Sequence, residues 1–254
     1  MDLCVPPRGH GDPSQDCLRN VYETRLKDLK DGAAARFEPF LFYKVYLYSY
    51  TPCVASNDDP DECADGGGGD FHGAVSRIDS PLTPGAKRWN DFVGEGAGII
   101  ANDPHSDFET SIVVQSASAD LVNACNYRFE LPHGAHGMFS ESCITMVLSS
   151  GRMLDANDLF DSDKDWKAFL SARATEGLKK NLAEILGPDY IADFTSVPDV
   201  ASSPDRWRFT SAGIEIVFNY TDLHTMNIGP GDVLVSWPDL RPYLRKPLPF
   251  QLPQ

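Results

Sequence analysis

Six cysteines carry the most pointed chemistry in this sequence: Cys4, Cys17, Cys53, Cys63, Cys125 and Cys143. Six thiols allow fifteen pairings, so connectivity is not fixed by the sequence. Sequential pairing is favoured on local grounds, because each pair brackets a short stretch with the character of a hairpin, turn or loop. Cys53 and Cys63 flank SNDDPDE, an acidic loop that packing alone would not hold. A bridge there would remove unfolded-state entropy on the order of 2–3 kcal/mol. Zinc is the rival ligand, but no C-x2-C pair occurs and the spacings are long for a knuckle. Buried free thiols are the other alternative. Three disulfides are expected, and with them an oxidising compartment.

Other residue types offer weaker chemistry. His133 and His136 stand three apart in the turn His133-Gly134-Ala135-His136-Gly137. With no third ligand nearby in sequence, His136 is expected to lock the turn rather than hold a metal. Gly134 and Gly137 are expected to allow backbone conformations that a β-carbon resists. Asp161-Ser-Asp163-Lys-Asp165 imitates the start of a calcium loop. However, Trp166 stands where the sharp turn wants Gly, and Ala172 where a bidentate Glu belongs. Asp155, Asp158, Asp161, Asp163 and Asp165 are therefore expected to serve helix N-termini. The row Phe42, Tyr46, Tyr48, Tyr50 could stack sugars, although such rows are more often covered core. Asn219-Tyr-Thr221 matches a glycosylation sequon. No nucleophile-elbow, zincin, Walker or dinucleotide-binding motif occurs. No catalytic residue, metal or cofactor is assigned, and the chain is expected not to be an enzyme.

Composition narrows the partners. The 254 residues carry 22 Lys and Arg against 37 Asp and Glu, a formal net charge of −15. Nucleic acid is gripped by cationic side chains, so this balance argues against it. It argues equally against an anionic membrane surface. No apolar run approaches the length of a membrane-spanning helix. The charge suits a basic partner. The opening residues MDLCVPPRGHG lack the basic start and apolar stretch of an export signal. Taken with the cysteines, this leads to the expectation of a mature, exported chain, periplasmic or extracellular.

The elements that must position these residues form an α+β pattern, with antiparallel sheets and segregated helices. Helical spacing runs over Ser14–Lys30 and, shorter, over Pro84–Val93, the latter with Trp89, Phe92 and Val93 inward. Phe40–Tyr50 reads as a strand covered on both sides. Gly66–Gly69 reads as a flexible connection. Ile112–Leu131 gives two strands. In the second, Leu121, Asn123, Cys125, Tyr127, Phe129 and Leu131 share the more apolar face, expected to be the core side. Phe139–Leu148 is the return strand, and a Cys125–Cys143 bridge would link the two. Ser162–Asp165 resembles a capping box before a long helix whose buried stripe is Trp166, Phe169, Leu170, Leu178, Leu182 and Ile185. Trp207–Phe209, Gly213–Phe218 and Val233–Trp237 are short strands, and Pro238–Leu244 a last helical turn.

Three stretches in order, YRFELPHGAHG, SSGRMLDANDLF and WRFTSAGIEIVFNYTDLHTMNIGPGDVLVSWPDLRPYL, resemble the RsiV-like extracellular domain. That domain is shared by the anti-sigma-V factor RsiV and the peptidoglycan deacetylase PdaC. The family pattern is an aromatic strand, a Gly-Gly-Ala-His turn, a strand, Thr-Gly-Lys, then Leu-x-Asp-Leu-Phe. Here His133 replaces the first Gly, Ser150-Gly151-Arg152 stands for Thr-Gly-Lys, and Asn157-Asp158-Leu159-Phe160 closes the block. Gly134, Ala135, His136, Gly137, Gly151, Asp158 and Phe160 are thus expected scaffold positions. The resemblance covers roughly residues 108–244; residues 37–102 are similar, more weakly, to the small domain that precedes it. Cys4 to Leu29 resembles the tail of an LprI-type lysozyme-inhibitor module. The expected division is 1–34, 35–107 and 108–254, two small subdomains after a Cys-loop and helix, stapled by disulfides.

The resemblance implies the cell envelope. It leads to the expectation of a binding protein that recognises lysozyme or a similar basic protein, as receptor or inhibitor. Asp58, Asp59, Asp61 and Glu62 are the first contact candidates. The alternative is an accessory module that binds peptidoglycan or another glycan without catalysis. Anti-sigma and deacetylase activities do not carry over, because no cytoplasmic segment or deacetylase domain accompanies the motifs.

Overall fold

The computed structural model describes Glu23 and residues 36–37, 39–51, 69–98, 106–132, 137–223 and 231–252. Cys4, Cys17, Cys53, Cys63, the acidic residues Asp58, Asp59, Asp61 and Glu62, most of the helix expected over Ser14–Lys30, and His133 to His136 lie outside the described residues.

Seven strands form the larger sheet, in spatial order identical to chain order. They are β1 (Arg36–Phe37), β2 (Phe40–Thr51), β3 (Gly69–Ile78), β4 (Ser106–Ala117), β5 (Leu121–Pro132), β6 (Met138–Val147) and β7 (Arg152–Met153). Neighbours are antiparallel except β3 and β4, which run parallel. A parallel pair needs a crossover, and α1 (Pro84–Gly98) provides it. The sheet passes through the 107/108 boundary expected from the sequence, and β3 and β4 hydrogen-bond across it.

Trp89 and Val93 of α1 are fully buried, as their spacing predicts. The Trp89 indole donates to the Ser76 carbonyl at 3.0 Å, and the Asn90 side chain pairs with both backbone groups of Ile78. These bonds fix the helix on one face of β3. No sequence pattern announces β3 itself, because Gly73 and the polar residues in GDFHGAVSRI blur its alternation. β2 is not covered on both sides: Phe42 is buried, but Tyr46 is 48% exposed. Aromatic content marks a strand without saying what lies above it.

The smaller sheet joins β8 (Trp207–Phe209), β9 (Gly213–Ile216) and β10 (Val233–Ser236), antiparallel in the order β10-β9-β8. Around it lie α2 (Ala156–Leu159), α3 (Trp166–Leu186), α4 (Val197–Ser202), α5 (Tyr220–Leu223) and α6 (Trp237–Leu240). Trp166, Leu170, Ala174, Leu178 and Leu182 form the buried stripe of α3, while Ile185 is half exposed at its far end. The capping box forms one helix earlier than expected. Asp155 caps α2 with Asp158 as its reciprocal partner, whereas Asp165 at the start of α3 makes no side-chain cap bond. Phe160 stacks on Trp166 at 4.6 Å and meets Trp207 edge-on at 5.4 Å.

Two cores result. One lies between α1 and the larger sheet. The other holds the helices and the smaller sheet, and takes Leu121 and Val147 from the larger one. No helix among the described residues is long and apolar enough to cross a membrane.

Candidate functional site: an open aromatic groove

Each strand of the larger sheet sends alternate side chains to one face, and register assembles them into rows. Tyr46, Ala74, Ser111, Tyr127 and Glu141 follow one another across β2 to β6. The next row holds His72, Glu109, Phe129 and Phe139 across β3 to β6. In the other direction lie Val113, Cys125 and Cys143, then Asn123 and Thr145.

The smaller sheet and the residue that follows β9, Val217, cover the last two of these rows. Asn123 is fully buried and joins the two sheets. Its amide donates to Thr145 Oγ1 at 2.8 Å and to the Trp207 carbonyl at 2.9 Å, and its oxygen accepts from the Phe209 N–H at 2.9 Å. Cys125 and Cys143, register partners on β5 and β6, form a buried disulfide beside Val217. Beyond the disulfide the covering stops. Phe129 is 38% exposed and Phe139 49%. The face expected to be core is therefore core over Leu121–Cys125 and open over Tyr127–Leu131.

The open part is a groove of about 520 Å³, lined by Tyr46, His72, Glu109, Ser111, Tyr127, Phe129 and Phe139 among others. The Tyr127 and Phe139 rings lie 6.4 Å apart, and Gln115 donates to the Tyr127 hydroxyl at 3.2 Å. Gly137 admits the Phe129 ring: a β-carbon there would fall 2.4 Å from it. That glycine supplies space at the groove edge, not the unusual backbone angle expected of it.

A wall of charged side chains stands next to Tyr127, outside the lining of the groove itself. Arg208 of β8 pairs with Glu215 at 2.9 Å, with Asp232 at 2.7 Å, and with Glu141. Burial pushes the Glu141 carboxyl above its ordinary value, against the pull of Arg208. Burial does the same to Asp232, again opposed by Arg208. Burial also raises the Tyr127 hydroxyl, helped by the charge of Glu141. Burial works to lower Arg208, and its bond to Glu141 and the charges of Asp232 and Glu141 outweigh that and hold it high. Three carboxylates share one guanidinium, so no single pair is neutralised fully.

Glu141 also approaches Cys125 and Cys143 within the spacing of a metal cluster. Both sulfurs are committed to the disulfide and offer no thiolate, which leaves one carboxylate, too few to hold an ion. The Asn219 amide of the sequon is likewise engaged, pairing with both backbone groups of Glu141.

Of the expected scaffold positions, Gly137 borders the groove, Gly134, Ala135 and His136 lie outside the described residues, and Gly151, Asp158 and Phe160 serve elsewhere. Gly151 turns between β6 and β7 at φ +67°. Asp158 closes the cap of α2 and takes a two-pronged pair from Arg152 at 2.6 Å, which holds its carboxyl below the usual range. Phe160 is buried in the second core. Phe139, Glu109, Glu141 and Arg208 belong to no motif that would single them out in the sequence. Alternation marks Phe129, but as core.

No family model matches the chain, and no curated protein matches it. Solved structures do. The fold is that of the DUF3298 proteins. A DUF3298 family protein from Pseudomonas aeruginosa PAO1 aligns with a TM-score of 0.52 at 12% identity, over 85% of this chain and 98% of that one. A DUF3298 member from Bacteroides fragilis aligns with a TM-score of 0.55 at 13% identity, over 82% and 94%. At these identities the DUF3298 likeness concerns architecture alone.

Proposed function

We propose that this chain is an exported, non-catalytic binding protein of the cell envelope that recognises a basic protein of lysozyme type, as receptor or inhibitor. The observation that carries this reading is an open groove lined by aromatic rings and Glu109, with further carboxylates next to its Tyr127, on a molecule of net charge −15. Opposite charge steers encounter and lowers the chance of wrong partners. The Cys125–Cys143 bridge supports an oxidising compartment, and the RsiV-like motifs point to the same setting.

The test is a pull-down with egg-white lysozyme at low salt, together with lysozyme activity measured with and without this protein. Binding at micromolar concentration or better is expected, weakening as salt screens the charges. Absence of binding under those conditions would reject the reading. Peptidoglycan is the second reading, favoured by one observation: the rings of Tyr46 and Phe139 are both exposed on the groove, with polar neighbours. Sedimentation with purified sacculi, abolished by Tyr46→Ala, would move the assignment there.

A further inference from the structure

Exposed rings on a sheet face carry a cost, because apolar surface left in water forgoes the free energy of burial. The larger sheet hides such rings where it can. Its opposite face lies under α1, and the Leu121–Cys125 end lies under the smaller sheet. Tyr46, Phe129 and Phe139 are left open on this face, with Leu131 next along the strand from Phe129. A contiguous patch of this kind marks a contact surface.

Its charge selects the occupant. Among the described residues, the groove lining contains the exposed carboxylate of Glu109 and no Lys or Arg. Among the described residues, the wall beside Tyr127 sets Glu141, Glu215 and Asp232 against Arg208. An anionic ligand would be repelled. A neutral glycan would use the rings and donate hydroxyls to a carboxylate, but it would gain nothing from a net charge of −15. A Lys or Arg side chain uses both, since its stem packs on apolar surface and its head is drawn to ring faces and carboxylates.

We infer that this groove receives a segment of a basic protein bearing several Lys or Arg residues, the segment laid across Tyr46, Tyr127 and Phe139, with its cationic side chains met by Glu109 and drawn by the carboxylates next to Tyr127. A site of about 520 Å³ is within the range of built ligand pockets. The inference names the docking surface of the basic partner proposed above and rests on that reading. It moves the contact from the Asp58–Glu62 loop to the sheet.

The experiment is calorimetric titration of the full chain with egg-white lysozyme, and separately with chitotriose, for wild type, Glu109→Lys, the pair Tyr46→Ala and Phe139→Ser, and Ile191→Ser as a distant surface control. All four positions are exposed, and far-ultraviolet dichroism with thermal unfolding checks that each variant folds. Glu109→Lys and the double variant are each expected to weaken lysozyme binding about tenfold or more, with Ile191→Ser unchanged. Lysozyme binding that survives in both groove variants would place the contact elsewhere and overturn the inference while leaving the basic-partner reading intact. No lysozyme binding to wild type would end both. Chitotriose binding that the same substitutions abolish would assign the groove to a glycan and overturn the inference.

Discussion

At the scale of single residues, Asn123 is the tie between the two sheets. A buried amide with no partners would be expensive, and this one satisfies the backbone of β8 at two points. Asn123→Leu is expected to destabilise the protein by about 2–4 kcal/mol, because the Trp207 carbonyl and the Phe209 N–H would lose their partner. Urea unfolding of variant and wild type, compared at equal slope, checks this; an unchanged midpoint would mean the edge of β8 finds other partners. Its importance was not legible in the sequence. Asn123 sits in an apolar alternation, and nothing local says that a strand from more than eighty residues away ends on it.

At the scale of elements, close approach decides where helices sit. Gly85 in the first turn of α1 lies against the end of β6: a β-carbon there would stand 1.8 Å from the Leu148 carbonyl oxygen. That oxygen is backbone and cannot turn aside. Gly85→Ala is expected to push α1 off the sheet and cost about 1–3 kcal/mol. Chemical denaturation measures the loss, and the near-ultraviolet dichroism of Trp89 should weaken with it. Element types were largely readable. α1, α3, β4, β5, β6 and the three short C-terminal strands follow from their periodicity and from turn residues. β3 was not, because its alternation is broken by glycine. The capping box went to Asp155–Asp158 because Arg152, from the preceding strand, reinforces Asp158. A pattern of acidic residues repeated every two or three positions does not say which one a distant arginine will select.

At the scale of the whole molecule, a pH dependence follows from the wall. Burial raises Glu141 and Asp232 above the values they have in the unfolded chain. A carboxyl with a raised folded pKa holds its proton more tightly when folded. Its contribution to stability is complete below the unfolded value and is lost as pH climbs through the folded one. For Glu141 the decline starts near its ordinary value of 4.5 and runs upward. Stability measured by urea unfolding from there to about pH 7 is expected to fall, and more shallowly in Glu141→Gln, which cannot ionise. A stability that rises across that window, or a slope that Glu141→Gln does not change, would contradict burial as the dominant influence on this carboxyl. The same excess of carboxylates is what the groove offers a cationic partner, so attraction and self-repulsion have one source.

The class of fold, most of its elements and the bridge between Cys125 and Cys143 were legible from the residues alone. All of these depend on neighbours along the chain: period, turn chemistry, and two strands joined closely enough to be antiparallel. The excess of negative charge was legible in the same way. Which apolar residues are core was settled only in three dimensions. Leu121 and Phe129 lie on one face of one strand, and they differ only in whether the smaller sheet reaches over them. Alternation records which side chains share a face, whereas coverage depends on where segments distant in sequence come to rest. The groove exists because that covering stops at the row of the disulfide.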